Sequence, residues 1–322
     1  MSSGKIVVAI GALEESQRQM IRETADACGL RVVFCDSAEQ IADEVRDAEI
    51  IYSYDSSLGR LAPGLKWFHA ASAGVDNFLK PGALPEGCLL SNSAGAYGVA
   101  VSEHGVTLTL MLLRRIPEYM ENVRQHIWRG DLPVKTLTGS RITVLGTGDI
   151  GSNYAKRVRG FEPEKIIGVN RSGKVREEGI FDEIIPQDRL DEVLPETDIL
   201  FMALPGTRDT LKLLDERRIA LLPESAIVVN VGRGNSIDQA ALVKALNEGR
   251  IAAAGLDVFE VEPIPEGDPA WTAKNLLITT HTAGQMTLVN TRNKNAQMFC
   301  EDLKNYIEGR TLRHLVNKEL GY

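Results

Sequence analysis

Two successive series of short β-rich runs, separated largely by stretches of helical spacing, constrain this chain more than any other feature. The first series is "KIVVAIG", "RVVFCD", "EIIYSY", "KWFHAA" and "LLSNS", with "QRQMIRETADACG" and "AEQIADEVRDA" reading as the helices between its first three members. The second is "RITVLG", "KIIGVN", "FDEII", "DILFMAL", "AIVVNVG", "AAAGLDV" and "LLITT", again with helices between most of them. Alternation of this kind demands parallel sheets covered by helices.

Between the two series a helical stretch from about Val99 to Arg129 is strongly apolar in its first half, and Pro117 should kink it or end its first segment. After Gln285 the pattern is helical again, in a segment able to pack back on the first series. The expected fold is therefore α/β, with two doubly wound parallel-sheet domains. One spans 1–98 plus 286–322 and the other 99–285. A length of 322 residues suffices for two such cores.

The bulk chemistry narrows the function classes. With 43% hydrophobic and 25% charged residues the composition is that of a soluble globular protein. A net charge of -8 with no basic cluster argues against a nucleic-acid or membrane-surface binder. The apolar run near the N-terminus is too short for a signal segment or a membrane span. Cys28, Cys35, Cys88 and Cys300 are scattered without C-x-x-C spacing, so neither a metal site nor a disulfide framework is expected, and the compartment expected is the cytoplasm.

The segment Gly146-Thr147-Gly148-Asp149-Ile150-Gly151 follows one apolar run and opens a helix that leads to the next. In this frame the glycine spacing is that of a dinucleotide-binding turn. Gly146 allows the turn, Gly148 lets backbone N–H groups approach a pyrophosphate, Gly151 lets helix and strand pack closely, and the helix N-terminus adds partial positive charge. Sites selective for NAD carry a carboxylate after the next strand. Here that position is Asn170, followed by Arg171, Ser172 and Lys174. A guanidinium, a hydroxyl and an ammonium suit a 2′-phosphate, so NADP(H) is expected over NAD(H).

Three later runs end in polar residues: Arg233 after "AIVVNVG", Asp257 within "GLDVFEVEP" with Glu262 just beyond it, and His281 after "LLITT". In an open parallel sheet these share the carboxyl edge with the glycine turn. With "ASAGVDN" (71–77), "LGTGDIG" (145–151), "ALPGTRDT" (203–210), "VNVGRG" (229–234), "GLDVFEVEP" (255–263) and "THTAG" (280–284) in this order, the chain resembles the D-isomer-specific 2-hydroxyacid dehydrogenase family, nearest its glyoxylate/hydroxypyruvate reductase-like members.

The resemblance implies a flavodoxin-like substrate domain, a Rossmann nucleotide domain, and hydride transfer between NADP(H) or NAD(H) and a small 2-keto or 2-hydroxy acid. It implies a catalytic Arg233–Glu262–His281 trio. Arg233 would grip the acid, His281 would exchange the proton, and Glu262 would favour imidazolium. It further implies that Asp257, Pro205, Thr210 and Val231 line the cofactor, and that the backbone of Ala73, Gly74 and Val75 holds the substrate carboxylate. Tyr54 is a candidate substrate contact. A homodimer is implied through the nucleotide domain and the long helix, the apolar run Val106 to Leu113 being compatible with it. The rival expectation is a dinucleotide-sensing, corepressor-like binding protein. Of the other histidines, His69 reads as a strand residue, His104 as packed core, and His126 and His314 as exposed.

Overall fold

The computed structural model describes residues 4–174 and 178–321. The chain divides into two compact units, Met1–Tyr97 with Gln285–Tyr322, and Gly98–Gly284.

The first unit contains β1 (Lys5–Ala9), α1 (Glu15–Ala27), β2 (Arg31–Phe34), α2 (Ala38–Glu44), β3 (Ile50–Ser53), β4 (Trp67–Ala70) and β5 (Leu89–Asn92). All strands pair in parallel in the order β2-β1-β3-β4-β5. Alternate residues serve two cores. Ile6, Val8, Ile50, Tyr52 and Trp67 face one, with Phe299 and Leu303, while Val7, Ile51, Phe68 and Leu90 face the other. Burial on both faces is why these strands read as unbroken apolar runs. The order reverses between β1 and β3, so the loop carrying Tyr54, which follows β3, opens at the switch point where ligands bind in such sheets.

The second unit begins with α3 (Gly98–Leu113) and α4 (Ile116–Arg124), then β6 (Arg141–Leu145), α5 (Asp149–Arg159), β7 (Lys165–Asn170), β8 (Glu183–Pro186), α6 (Leu190–Val193), β9 (Ile199–Met202), α7 (Glu216–Ile219), β10 (Ile227–Asn230), α8 (Gln239–Asn247), β11 (Ala253–Leu256) and β12 (Leu276–Ile278). Its parallel order is β12-β11-β10-β9-β6-β7-β8, reversing between β6 and β9. The last helix, α9 (Val289–Ile307), belongs to the first unit, where Phe299 stacks on Tyr52 at 4.5 Å between ring centroids.

The helical stretch expected to run to Arg129 is two helices. Arg115 adopts a left-handed conformation (φ 54°) at the break, and Pro117 lies in the first turn of α4. Proline has no N–H to offer the carbonyl four residues back. That carbonyl, on Leu113, accepts instead from the Lys135 N–H at 2.9 Å. Within the apolar run Val106 to Leu113, Leu108, Leu112 and Leu113 are buried, the first two packing over Gly255 of β11, while Val106, Leu110 and Met111 are half-buried. Exposed apolar side chains lie instead on α4 and just beyond it, at Ile116, Met120, Val123, Ile127 and Trp128.

A close packing constraint inside this unit lies where α3 crosses Phe201. A Cβ at Gly105 would lie 2.5 Å from the Phe201 ring, which is fully buried and stacked on Tyr154 at 3.6 Å between centroids. Gly105→Ala is expected to cost about 1–3 kcal/mol of stability, read as a lower urea midpoint with an unchanged slope. An unchanged midpoint would show that the ring has room to move.

Candidate active site

The glycine turn sits at the switch point of the second sheet. Gly146 has φ 92°, and a Cβ there would lie 2.6 Å from the Ala203 carbonyl oxygen at the end of β9. A Cβ at Gly151 would lie 1.9 Å from the Gly146 oxygen. Gly148, which caps α5, differs: among the described residues, beyond its two chain neighbours, a Cβ there would meet nothing within 4 Å. The fold itself makes no such demand at Gly148, which suits close approach by a ligand group. The first-turn N–H groups of α5 (Asp149, Ile150, Gly151) have no intrahelical acceptors and point the positive end of the helix at that space.

After β7, Asn170 builds the neighbouring turn. Its amide donates to Thr147 Oγ1 (2.9 Å) and Lys174 O (3.0 Å), and its Oδ1 accepts from the N–H groups of Ser172 (3.1 Å) and Gly173 (2.7 Å). Asn170 thus ties this turn to the glycine turn and leaves Arg171, Ser172 and Lys174 exposed. On the next loop, the Thr210 hydroxyl donates to Pro205 O (2.6 Å) and accepts from the Thr207 N–H (2.9 Å), fixing the segment after β9. Val231 is buried where β10 ends.

The structure brings Arg233, Glu262 and His281 together. Gly234 allows the loop after β10 to lie against the backbone of Phe259, whose carbonyl carbon would be 1.9 Å from any Cβ. Glu262 is held by two bonds: its Oε1 accepts from the Phe259 N–H (2.9 Å) and its Oε2 faces His281 Nδ1 (2.7 Å). A carboxylate only accepts, so Nδ1 carries a proton in either charge state of the imidazole, and Nε2 is the nitrogen that titrates.

The hydrogen bond to Glu262 raises the His281 pKa above its usual value. Burial opposes the rise, the Glu262 charge adds to it, and Arg233 opposes it. Burial pushes Glu262 up, but the bonds from His281 and the Phe259 N–H and the charges of His281 and Arg233 outweigh it, and its pKa is lowered. The opposite shifts describe a proton shared toward the imidazole, on a side chain that stays 52% exposed.

His281 has φ 54°, a left-handed conformation that costs a non-glycine residue about 1–3 kcal/mol. Asp257 holds it there. The Asp257 backbone carbonyl accepts from the His281 N–H (2.7 Å), and its buried carboxylate accepts from the Thr282 and Ala283 N–H groups (2.9 and 3.1 Å) and the Thr279 hydroxyl (2.6 Å). His104 lies on the other side of Thr279, with Nε2 2.9 Å from its hydroxyl and 3.6 Å from Asp257. Because Thr279 gives its proton to Asp257, it accepts from His104. His104 is thus not sealed core, with 23% of its side chain exposed. Neither it nor Thr279 carried a sequence signal beyond a polar residue within an apolar run.

In the first unit, the segment after β4 turns back on itself. Ala73 O accepts from Asn92 Nδ2 (2.8 Å) and Gly74 O from Ser72 Oγ (2.7 Å). Among the described residues, no acceptor meets the N–H groups of Ala73, Gly74 and Val75. Tyr54, 41% exposed, has its hydroxyl 2.9 Å from that of Tyr97. His69 is fully buried between Ser91 and Ser93, and burial pushes its pKa down to about 3. His314, expected on the surface, is partly buried against Asp302 at 3.2 Å. Among the described residues no cluster of His, Cys, Asp and Glu is arranged to hold a metal ion, and no helix is long and apolar enough to cross a membrane.

Residues 106–283 match the family model described as D-isomer specific 2-hydroxyacid dehydrogenase, NAD binding domain. The glyoxylate reductase of Aeropyrum pernix is 34% identical over 296 residues, covering 88% of this chain and 87% of the relative. A D-isomer specific 2-hydroxyacid dehydrogenase family protein from Aeromonas salmonicida superposes with a TM-score of 0.84 at 31% identity, over 98% of this chain and all of that one. An NADPH-dependent glyoxylate/hydroxypyruvate reductase of Sinorhizobium meliloti, solved with NADP and malonate, gives 0.74 at 27% identity over 98% of both chains. The chain belongs to the D-isomer specific 2-hydroxyacid dehydrogenase family. It is an NAD(P)-dependent oxidoreductase acting on the CH–OH group of a hydroxy acid.

The charge arrangement around His281 is open to direct test. In an NMR titration the imidazole of His281 is expected to titrate above 6.5, and in Glu262→Gln to titrate lower than in the wild type, since the largest raising contribution is gone. A midpoint unmoved by the substitution would contradict the pairing.

Proposed function

We propose that the chain reduces small 2-keto acids of the glyoxylate and hydroxypyruvate type to D-2-hydroxy acids, with NADP(H) preferred over NAD(H). The observation that carries the chemistry is the His281–Glu262 pair beside Arg233. The Arg233 guanidinium binds the acid by a two-pronged contact and polarises its carbonyl. His281 Nε2–H, kept protonated by Glu262, gives its proton to the carbonyl oxygen and takes it back in the reverse direction. The N–H groups of Ala73, Gly74 and Val75 supply further donors for the carboxylate. Reduced nicotinamide dinucleotide, when bound, supplies the hydride.

For the cofactor, Gly146, Gly148, Asp149, Ile150 and Gly151 cradle the pyrophosphate, and Pro205, Thr210 and Val231 line the adjacent strand ends. Asp257 has one carboxylate oxygen with a single hydrogen bond, and its remaining lone pair serves the nicotinamide carboxamide. The preference for NADP(H) rests on the turn at 170–174. No carboxylate stands at Asn170 to repel a 2′-phosphate, and Arg171, Ser172 and Lys174 are exposed around it. The Sinorhizobium relative, described as NADPH-dependent, supports the same choice. The relatives, being reductases, favour turnover over a sensing role. We assign the protein to the cytoplasm, and the exposed stripe of Ile116, Met120 and Val123 on α4 to a homodimer contact. With the half-buried Val106, Leu110 and Met111 of α3, it gives a second copy an apolar face to cover.

Initial rates with NADPH and NADH over a panel of 2-keto acids test the reading. NADPH is expected to be favoured. Arg171→Ala should cut that preference about ten- to hundredfold, the worth of one charge-assisted contact. His281→Ala should lower kcat by about two to four orders of magnitude with cofactor binding nearly intact. NADH preferred by the wild type would overturn the role of Arg171, and full turnover in His281→Ala would remove that histidine from the chemistry.

A further inference from the structure

The hydrogen bonds around Ala71 settle the direction of every proton leading to Tyr54. The Ala71 carbonyl oxygen can only accept. It is met by Asn295 Nδ2 at 2.7 Å and by the Tyr97 hydroxyl at short range. Both must donate to it. The first contact fixes which way the Asn295 amide points, so that its Oδ1 accepts from Tyr52 (2.6 Å) and Ser93 (2.7 Å), and its second N–H donates to Tyr97 (3.0 Å). The second contact uses the only proton of Tyr97. One lone pair of the Tyr97 oxygen then takes the bond from Asn295, and the other takes the 2.9 Å contact from Tyr54. Tyr54 therefore donates to Tyr97, and its hydroxyl oxygen, on a residue that is 41% exposed, has only lone pairs left to offer. Asn295 and Tyr97 are buried, so no exchange with water scrambles the arrangement. Burial also raises the pKa of both tyrosines, which keeps each a neutral phenol.

Tyr54 leaves the sheet beside the segment proposed to hold the substrate carboxylate. Ser53 and Ala70 are paired at the ends of the adjacent strands β3 and β4, so Tyr54 and the 71–75 segment leave the same edge of the sheet side by side. We propose that Tyr54 determines specificity as a locked hydrogen-bond acceptor, selecting 2-keto acids that carry a hydroxyl donor on C3 over those with a methyl group or a further carboxylate. This rests on the reading of the chain as a 2-keto acid reductase whose 73–75 segment holds the carboxylate. An acid with a C3 hydroxyl pairs with the lone pairs of Tyr54. An acid with a methyl group leaves that oxygen without a donor, and one with a carboxylate sets acceptor against acceptor.

The test uses three acids, hydroxypyruvate, pyruvate and oxaloacetate, on the full-length protein. In Tyr54→Phe, which keeps the ring, the ratio of kcat/KM for hydroxypyruvate to that for pyruvate should fall about three- to tenfold, with pyruvate little changed. Tyr97→Phe frees the Tyr54 proton, and kcat/KM for oxaloacetate should rise severalfold relative to hydroxypyruvate. A purely structural role would lower all three acids alike. Pyruvate and hydroxypyruvate both reduced with an unchanged ratio in Tyr54→Phe would overturn the inference and leave the reductase reading standing. Absence of turnover with all three acids in the wild type, cofactor bound, would overturn both.

Discussion

The carboxylate of Asp257 is the point on which the His281 loop of the second unit depends. It is buried at the end of β11 and accepts three hydrogen bonds from the chain that follows β12. A buried carboxylate is costly unless so paired, and a left-handed histidine is unfavourable unless its neighbours fix it. Each offsets the other. With 282 and 283 bound to Asp257, His281 has no freedom to relax, and its imidazole is delivered to Glu262 at 2.7 Å. Thr279 and His104 complete the shell, so the position of His281 is set by groups other than its partner Glu262.

The first unit uses a related device. There the fixed acceptor is a backbone group, the Ala71 carbonyl, and the buried side chain that meets it is a neutral amide, Asn295 of α9. In both units a loop at the carboxyl edge of a parallel sheet is shaped by one fully buried polar side chain whose hydrogen bonds are almost all spent locally. What hydrogen-bonding capacity each loop has left follows by subtraction. Beyond His281 it is a titrating Nε2, and beyond Tyr97 a phenol with lone pairs only.

Much of this was legible in the sequence. The strands were, because burial on both faces of a parallel sheet leaves unbroken apolar runs such as "EIIYSY" and "DILFMAL". The glycine turn was, because Gly146 and Gly151 answer steric demands only glycine can meet. Arg233, Glu262 and His281 were legible through their motif order, and the structure places Glu262 and His281 in contact. The helix break was only half legible: Pro117 marks the neighbourhood, but the left-handed residue is Arg115, which carries no such signal. His104 was misread because an apolar helix hides the direction of a single side chain. The Ala71–Asn295 contact joins residues 224 positions apart, and no local pattern reports that an asparagine on a terminal helix sets the proton on a tyrosine.

The central claim is that the proton for the carbonyl oxygen sits on His281 because Glu262 holds it there. The pH dependence of kcat/KM for keto-acid reduction addresses it most directly. His281 has a raised pKa, so the imidazolium persists to a higher pH than an ordinary histidine would and is lost as pH rises through that pKa. The rate should therefore be level on the acid side of this transition and fall on its alkaline side, with an apparent pKa equal to that of the imidazole itself. A rate that stays flat through the His281 transition, or that falls as the imidazole gains its proton, would contradict the assignment.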